Sequence, residues 1–205
     1  MMTEPADSRT RLLDAAHKVV RAKGYTATRV EDVCAEAGVT KGSFFHHFRS
    51  KDDLGLAAAA HWGVNTTAFF AEAPHHAPAD PVDCLLAYVD FRKSLIVGDL
   101  TDFTCFAGTV VQETWSTHPE VSAACGASID AHAATLVEDI RQAMAAHGVA
   151  GFTPESLALH TQAVIQGAFV LAKAEGSAAV AAESLDHLRH YLELLFAETA
   201  TEKVR

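Results

Sequence analysis

Cysteine is scarce in this 205-residue chain: Cys34, Cys84, Cys105 and Cys125, with no CxxC pair among them. Without paired spacing there is no disulfide framework and no thiolate metal site of a recognised kind, so free thiols in a reducing cytoplasm are expected. No apolar run nears the roughly 18 residues that a membrane span requires, so no membrane partner is expected. The opening MMTEPADSR lacks both a basic start and an apolar core, so no signal peptide is expected there. Sustained period-two alternation is missing too, which argues against sheets. There is no nucleophile elbow, P-loop or Gly-rich dinucleotide turn. A di-iron helical bundle needs two Glu-x-x-His elements. The chain has Glu72-Ala73-Pro74-His75 alone, interrupted by proline. These absences speak against an enzyme. No cofactor and no metal are expected either, because His75-His76 and the pair His187 and His190 lack a cysteine or carboxylate that completes a recognised set. Both histidine pairs read as solvated or interfacial.

What is present is helical and unevenly charged. The chain is 49% hydrophobic and 20% charged, the composition of a folded globular protein. Its net charge of -10 argues against a nucleic-acid partner until its distribution is considered. Residues 1–51 hold nine Lys and Arg against six Asp and Glu, whereas the remainder holds seven against twenty. A basic head on an acidic body is the arrangement of a protein that meets phosphate with one end only.

Leu12, Leu13, Ala16, Val19 and Val20 form an apolar stripe on a first helix, capped by Asp7 or Ser8 and closed at Lys23-Gly24. Thr28-Arg29-Val30-Glu31 matches a capping box, and Val30, Val33, Cys34 and Ala37 then follow at helical spacing. Gly38 stands where a left-handed residue closes a helix. Thr40 caps a short helix, Lys41 to His47, whose first turn holds no acid, leaving its positive end open to a phosphate or base edge. Two short helices joined by a tight turn are the unit that lays its second helix in the major groove of DNA. Ser50 to Asp53 starts a fourth helix reaching towards Phe70. Further helices are expected from Asp80-Pro81 to about Gly98, from Thr104 to Trp115, from Pro119 to His147, from Thr153 and from Ser177 or Ala178. In the last two, Leu157, Thr161, Val164, Ala168 and Leu171, then Leu185, Leu188, Leu192 and Leu195, form seams that suit side-by-side helices. Such seams serve either packing within one subunit or a dimer interface. A homodimer through 154–175 and 178–199 is the expectation, since a short reading head usually reaches two half-sites by two-fold symmetry.

The run Gly38 to Leu54, GVTKGSFFHHFRSKDDL, together with Thr28 to Glu31, resembles the TetR/AcrR family of transcriptional regulators. The close match covers about 27 residues, and the nine-helix layout extends it loosely over the chain. The resemblance implies an all-α fold: a three-helix helix-turn-helix DNA-binding head at 1–51, and a helical body of about six helices at 52–205 for ligand binding and dimerisation. It implies a regulator, by expectation a repressor, released from a palindromic double-stranded DNA operator when a small-molecule effector binds. A helical protein-interaction module is the less favoured alternative.

Within that resemblance, Thr28 and Arg29 are expected to reach phosphate, as is Lys51. Thr40 and the N–H groups of Lys41 and Gly42 sit at the short helix's start, while Lys41, Ser43 and His47 approach base edges. Gly42 has a second reading, as a residue that allows close packing at the turn. Phe45 stands where the family commonly has Tyr and lacks the hydroxyl, so His46 or His47 is the candidate for that contact. Phe44 and Phe48 read as core. For the effector, Phe69, Phe91, Phe103, Phe106, Trp115 and Phe169 are candidate lining residues, each also readable as plain core. Cys105 reads two ways: as inert packing, or as an oxidant or electrophile sensor, because some members of the family carry a cysteine at a similar place.

Overall fold

A computed structural model describes residues 7–197, so expectations that fall on residues 1–6, including the leader, and on 198 and 199 of the last seam lie outside the described residues. Every regular element among the described residues is helical. The helices are α1 (Ser8–Lys23), α2 (Val30–Ala37), α3 (Lys41–His47), α4 (Lys51–Ala71), α5 (Pro81–Ser94), α6 (Leu100–Phe103), α7 (Phe106–Thr114), α8 (Pro119–Ala134), α9 (Val137–His147), α10 (Pro154–Glu175) and α11 (Ala178–Phe196), with one 3-10 turn at Pro74–His76. No helix among the described residues is long and apolar enough to cross a membrane.

The helix starts follow local chemistry. The Asp7 carboxylate accepts the Thr10 N–H at 2.7 Å, and Asp80 accepts from Val82 and Asp83. Thr153 and Ser177 cap α10 and α11 in the same way, each satisfying an amide that the helix leaves free. Gly38 closes α2 at φ 62, a left-handed conformation that glycine adopts without a side-chain clash.

Four features differ from expectation. The helix expected from 119 to 147 is divided at Thr135–Leu136 into α8 and α9, and a short extra helix, α6, precedes the one expected from Thr104 to Trp115, which is α7. α5 ends at Ser94, not at Gly98. The capping box at Thr28 and Glu31 does not form. Asp32 instead accepts the Arg29 N–H at 2.8 Å, so α2 begins one residue later, and Glu31 turns to pair with Lys41. Only Thr28 and Glu31 have the residue types of the motif, but the Thr28 hydroxyl donates to the Gly24 carbonyl and Glu31 pairs with Lys41, so neither half of the box is available.

The chain forms two compact units. Of the described residues, the first comprises 7–70 and 98–132; the second comprises 71–97 and 133–197. Compactness therefore does not divide the chain at Lys51. In the first unit one core joins Leu12, Leu13 and Val20 of α1, Val33 of α2, Phe44 and Phe48 around α3, and Leu54 of α4 to Phe106, Val110 and Val121. Phe44 and Phe48 are core as expected, and truncating either would remove about 3–5 kcal/mol.

In the second unit α10 pairs with α11 and α9, and α5 pairs with α9 and α11. The seam residues Leu157, Thr161, Ala168, Leu185, Leu188 and Leu192 are buried inside this one chain. Those positions serve packing within this chain, whereas Val164 and Leu195 of the same seam are half-buried and Leu171 is exposed. The outward apolar residues of α10 and α11 are Leu171 together with Leu159, Val170, Tyr191 and Leu194. Buried Tyr88 accepts a hydrogen bond on its hydroxyl from Gln162 at 2.8 Å, which satisfies two polar groups in this core.

Candidate nucleic-acid interface

The head presents one side of α3 to solvent. Thr40, Lys41, Gly42, Phe45 and His46 are exposed, while Phe44 and Phe48 turn inward. Exposure at i, i+1, i+4 and i+5 is what a helix gives when only one face is packed. The Thr40 hydroxyl accepts the Ser43 N–H at 3.2 Å, fixing where α3 starts, and the half-buried Ser43 side chain borders the exposed face. Gly42 is not required for close packing: a β-carbon there would meet Thr40 Oγ1 at 3.6 Å, an ordinary contact. Phe45 is 58% exposed, a large apolar surface in the middle of the face.

Arg29 is exposed at the start of α2, and among the described residues its guanidinium makes no hydrogen bond or ion pair. Lys41 is differently placed, since its ammonium pairs with Glu31, whose carboxyl is held below its usual range by that contact. Both partners are solvent-exposed, so water screens the pair and it yields readily to a phosphate.

Three expected contacts are placed elsewhere. Thr28 is buried, and its hydroxyl donates to the Gly24 carbonyl at 2.6 Å, so it does not face solvent. Half-buried His47 shares a 2.7 Å hydrogen bond with Ser8, joining the end of α3 to the start of α1. Lys51 donates to the carbonyls of Tyr25 (3.1 Å), Thr26 (3.4 Å) and Thr28 (3.3 Å), with its ammonium 4.7 Å from the Tyr25 ring centroid. An ammonium has three N–H donors, so all of them are engaged within the protein. Thr28 and Lys51 are thus parts of the frame, because the connection between α1 and α2 turns back over the start of α4.

Two cations near α3 escape a reading based on sequence. Arg49 is exposed just beyond α3, and exposed Arg9 lies with its guanidinium 5.5 Å from the Phe48 ring. Arg9 precedes α3 by more than thirty residues, and no local pattern announces that its helix starts beside the end of α3.

The residues considered for an effector scatter. Phe69, Phe103, Cys105, Phe106 and Trp115 belong to the first unit, and Phe91 and Phe169 to the second. Phe106 is core, packed on His17 and Trp62. Trp115 is 71% exposed and Phe69 is 51% exposed, so neither lines an enclosed space within its unit. Phe91 lies near His75, and buried Phe169 lies beneath the Arg92 guanidinium. Half-buried Cys105 caps α7, its sulfur accepting the Gly108 N–H at 3.3 Å. No cation neighbours it in sequence, yet the fold brings Arg21 near enough for the charges of the two groups to interact. His75-His76 forms part of the 3-10 turn, with His75 buried. Among the described residues no group of three His, Cys, Asp or Glu is arranged to hold a metal.

Comparison with known proteins places this geometry. The family model described as bacterial regulatory proteins, tetR family, matches residues 12–58. The model described as transcriptional regulator LmrA/YxaF-like, C-terminal domain, matches residues 81–184. The chain is similar to the uncharacterized HTH-type transcriptional regulator YxaF of Bacillus subtilis, 28% identical over 43% of this chain and 46% of that protein. It is similar also to the HTH-type transcriptional repressor KstR2 of Mycolicibacterium smegmatis, 38% identical over 25% of each chain. The match thus spans less than half the length of these curated relatives. Among solved structures, the reduced form of Escherichia coli NemR superposes with a TM-score of 0.80 at 22% identity, covering 95% of this chain and 100% of that one. A TetR-family regulator from Agrobacterium tumefaciens superposes with a TM-score of 0.78 at 23% identity, covering 90% and 96%.

Proposed function

We propose a specific mode of action on one premise: the chain belongs to the TetR family and is a DNA-binding transcriptional regulator with a helix-turn-helix head. In this proposal it is a cytoplasmic repressor. Residues 1–51 read a palindromic operator, and residues 52–205 dimerise and bind a small molecule that releases the DNA. The observation that carries the reading is the exposed side of α3 with unpaired Arg29 nearby, in a head that is net basic on an otherwise acidic chain. Arg29 supplies a phosphate contact. Lys41, His46 and Phe45 face base edges, with the Phe45 ring suited to an apolar contact such as a thymine methyl. Thr40, Gly42 and Ser43 set the distance of closest approach. The second copy docks on the outward residues Leu159, Val170, Leu171, Tyr191 and Leu194, and not on the seam residues that are buried within the chain. Release then follows if the effector binds the DNA-free arrangement more tightly than the DNA-bound one.

The test is selection of bound fragments from random duplex DNA by the full chain. Enrichment of a palindrome with half-sites about one helical turn apart is expected. Loss of that palindrome in Leu194→Glu, with a shift to monomer by light scattering, is expected as well. Absence of any enriched sequence from the parent protein would remove the reading.

A second reading is favoured by one observation, the half-buried Cys105 sulfur at the start of α7, which the fold brings near the Arg21 guanidinium. In that reading oxidation or alkylation of Cys105 releases the DNA. Iodoacetamide treatment should then release the selected duplex from the parent protein and leave Cys105→Ser bound; equal release from both would eliminate it.

A further inference from the structure

The connection between α1 and α2, residues 24–28, has two backbone hydrogen bonds, Gly24 N–H to Val20 and Thr28 N–H to Tyr25, and is otherwise held by side chains. The Thr28 hydroxyl takes the Gly24 carbonyl, and the Lys51 ammonium takes those of Tyr25, Thr26 and Thr28. Its amide side is held from α7: the Glu113 carboxylate accepts the Thr26 N–H at 3.0 Å. Gly24 makes room for this carboxylate. A β-carbon built on Gly24 would fall on the Glu113 oxygens, and its φ of 85 is one that residues with side chains rarely adopt. Nearby, the Tyr25 hydroxyl donates to Asp52 at 2.8 Å, and His118 reaches the other oxygen of Asp52 at 3.3 Å. One residue beyond this connection stands Arg29, the exposed cation whose guanidinium makes no hydrogen bond or ion pair among the described residues.

We infer that Glu113 is a positioning residue for DNA reading: by holding Thr26 and filling the space over Gly24, it fixes the α1–α2 connection and through it the placement of Arg29. The inference rests on the reading of Arg29 as a phosphate contact and names a residue outside the head on which that contact depends. Glu113 lies 87 residues from Thr26 in the chain and does not touch DNA in this scheme. An effector or modification that moves α7 would act on the head through this carboxylate.

The test is a double-mutant cycle on the full chain with the duplex that the parent selects. Arg29→Ala and Glu113→Ala are each expected to weaken binding by about ten-fold, the order of one lost phosphate contact, and to lower the salt slope by about one. The double variant is expected to bind no more weakly than Arg29→Ala, because the effect of Glu113 passes through Arg29. Glu113→Gln keeps an acceptor for the Thr26 N–H and is expected to stay within about two-fold of the parent, a rescue that bulk loss of packing would not give. Faster hydrogen exchange across 24–28 in Glu113→Ala, but not in Glu113→Gln, is the matching readout without DNA. Parent-like binding by Glu113→Ala, losses that multiply in the double variant, or equal losses in the Ala and Gln variants would each overturn the inference while leaving DNA reading intact. A parent protein that selects no duplex would instead overturn the DNA reading, and this inference with it.

Discussion

Replacing Lys51 with alanine is expected to destabilise the first compact unit and to leave the salt dependence of DNA binding nearly unchanged. The ammonium donates to three backbone carbonyls of one short connection, and its stem is half-buried against Tyr25. A hydrogen bond from a charged group is worth roughly 1.5–3 kcal/mol, less where water can replace it. The Thr26 carbonyl is open to water and the other two are partly buried. A total loss of about 2–4 kcal/mol follows. Urea titration followed by tryptophan fluorescence measures it, because both tryptophans, Trp62 and Trp115, lie in this unit. If stability stayed within about 0.5 kcal/mol of the parent and the salt slope fell by about one, Lys51 would be a phosphate contact after all.

The second large effect is acid sensitivity centred on His17. This ring is 7% exposed, 4.7 Å from Phe106 and 5.2 Å from Trp62 between ring centroids. Its Nε2 lies 2.8 Å from the Ala58 carbonyl, which can only accept, so that nitrogen carries the proton. Burial is the main cause that pushes its pKa down to about 4; the Ala58 carbonyl opposes the shift, and neighbouring His61 adds to it. Between pH 6.5 and about 4 the unfolded chain therefore binds a proton that the folded chain refuses. Stability is complete above the unfolded value and falls as the pH drops through this window. The loss from His17 alone is about 3 kcal/mol between neutral pH and pH 4. His17→Gln keeps a donor for the Ala58 carbonyl without titrating, so its stability should fall less steeply over the same range. An unchanged slope in that variant would mean that other groups govern acid unfolding. His75, also pushed down to about 4 by burial, adds a similar dependence in the second unit.

Both effects hinge on contacts between distant parts of the chain, and that marks the boundary of what could be read without the fold. Helical periodicity predicted nearly every helix, since an amphipathic stripe repeats within four residues. Capping chemistry at Asp7, Thr40, Asp80 and Thr153 located the starts for the same reason. The capping box read at Thr28 and Glu31 did not form, and its spacing could not show this, because the pairing of Glu31 with Lys41 lies outside the motif. The seam of α10 and α11 was legible as a seam. Which helices it joins was not, since a four-three repeat is the same whether its partner is the next helix or a second chain.

The sequence by itself determined an all-helical chain, a basic head with a helix-turn-helix, and the residues that could meet DNA. Those conclusions rest on residue types, and on spacings within one or two turns of helix. Only the tertiary structure decided which of those residues are free to do so. It turned Thr28 inward, gave Lys51 three carbonyls and left the Arg29 guanidinium with no hydrogen bond or ion pair among the described residues. It also set Glu113 over Gly24 and brought Arg21 to Cys105. A side chain has few donors and acceptors, and once packing has supplied their partners it is no longer available to a ligand.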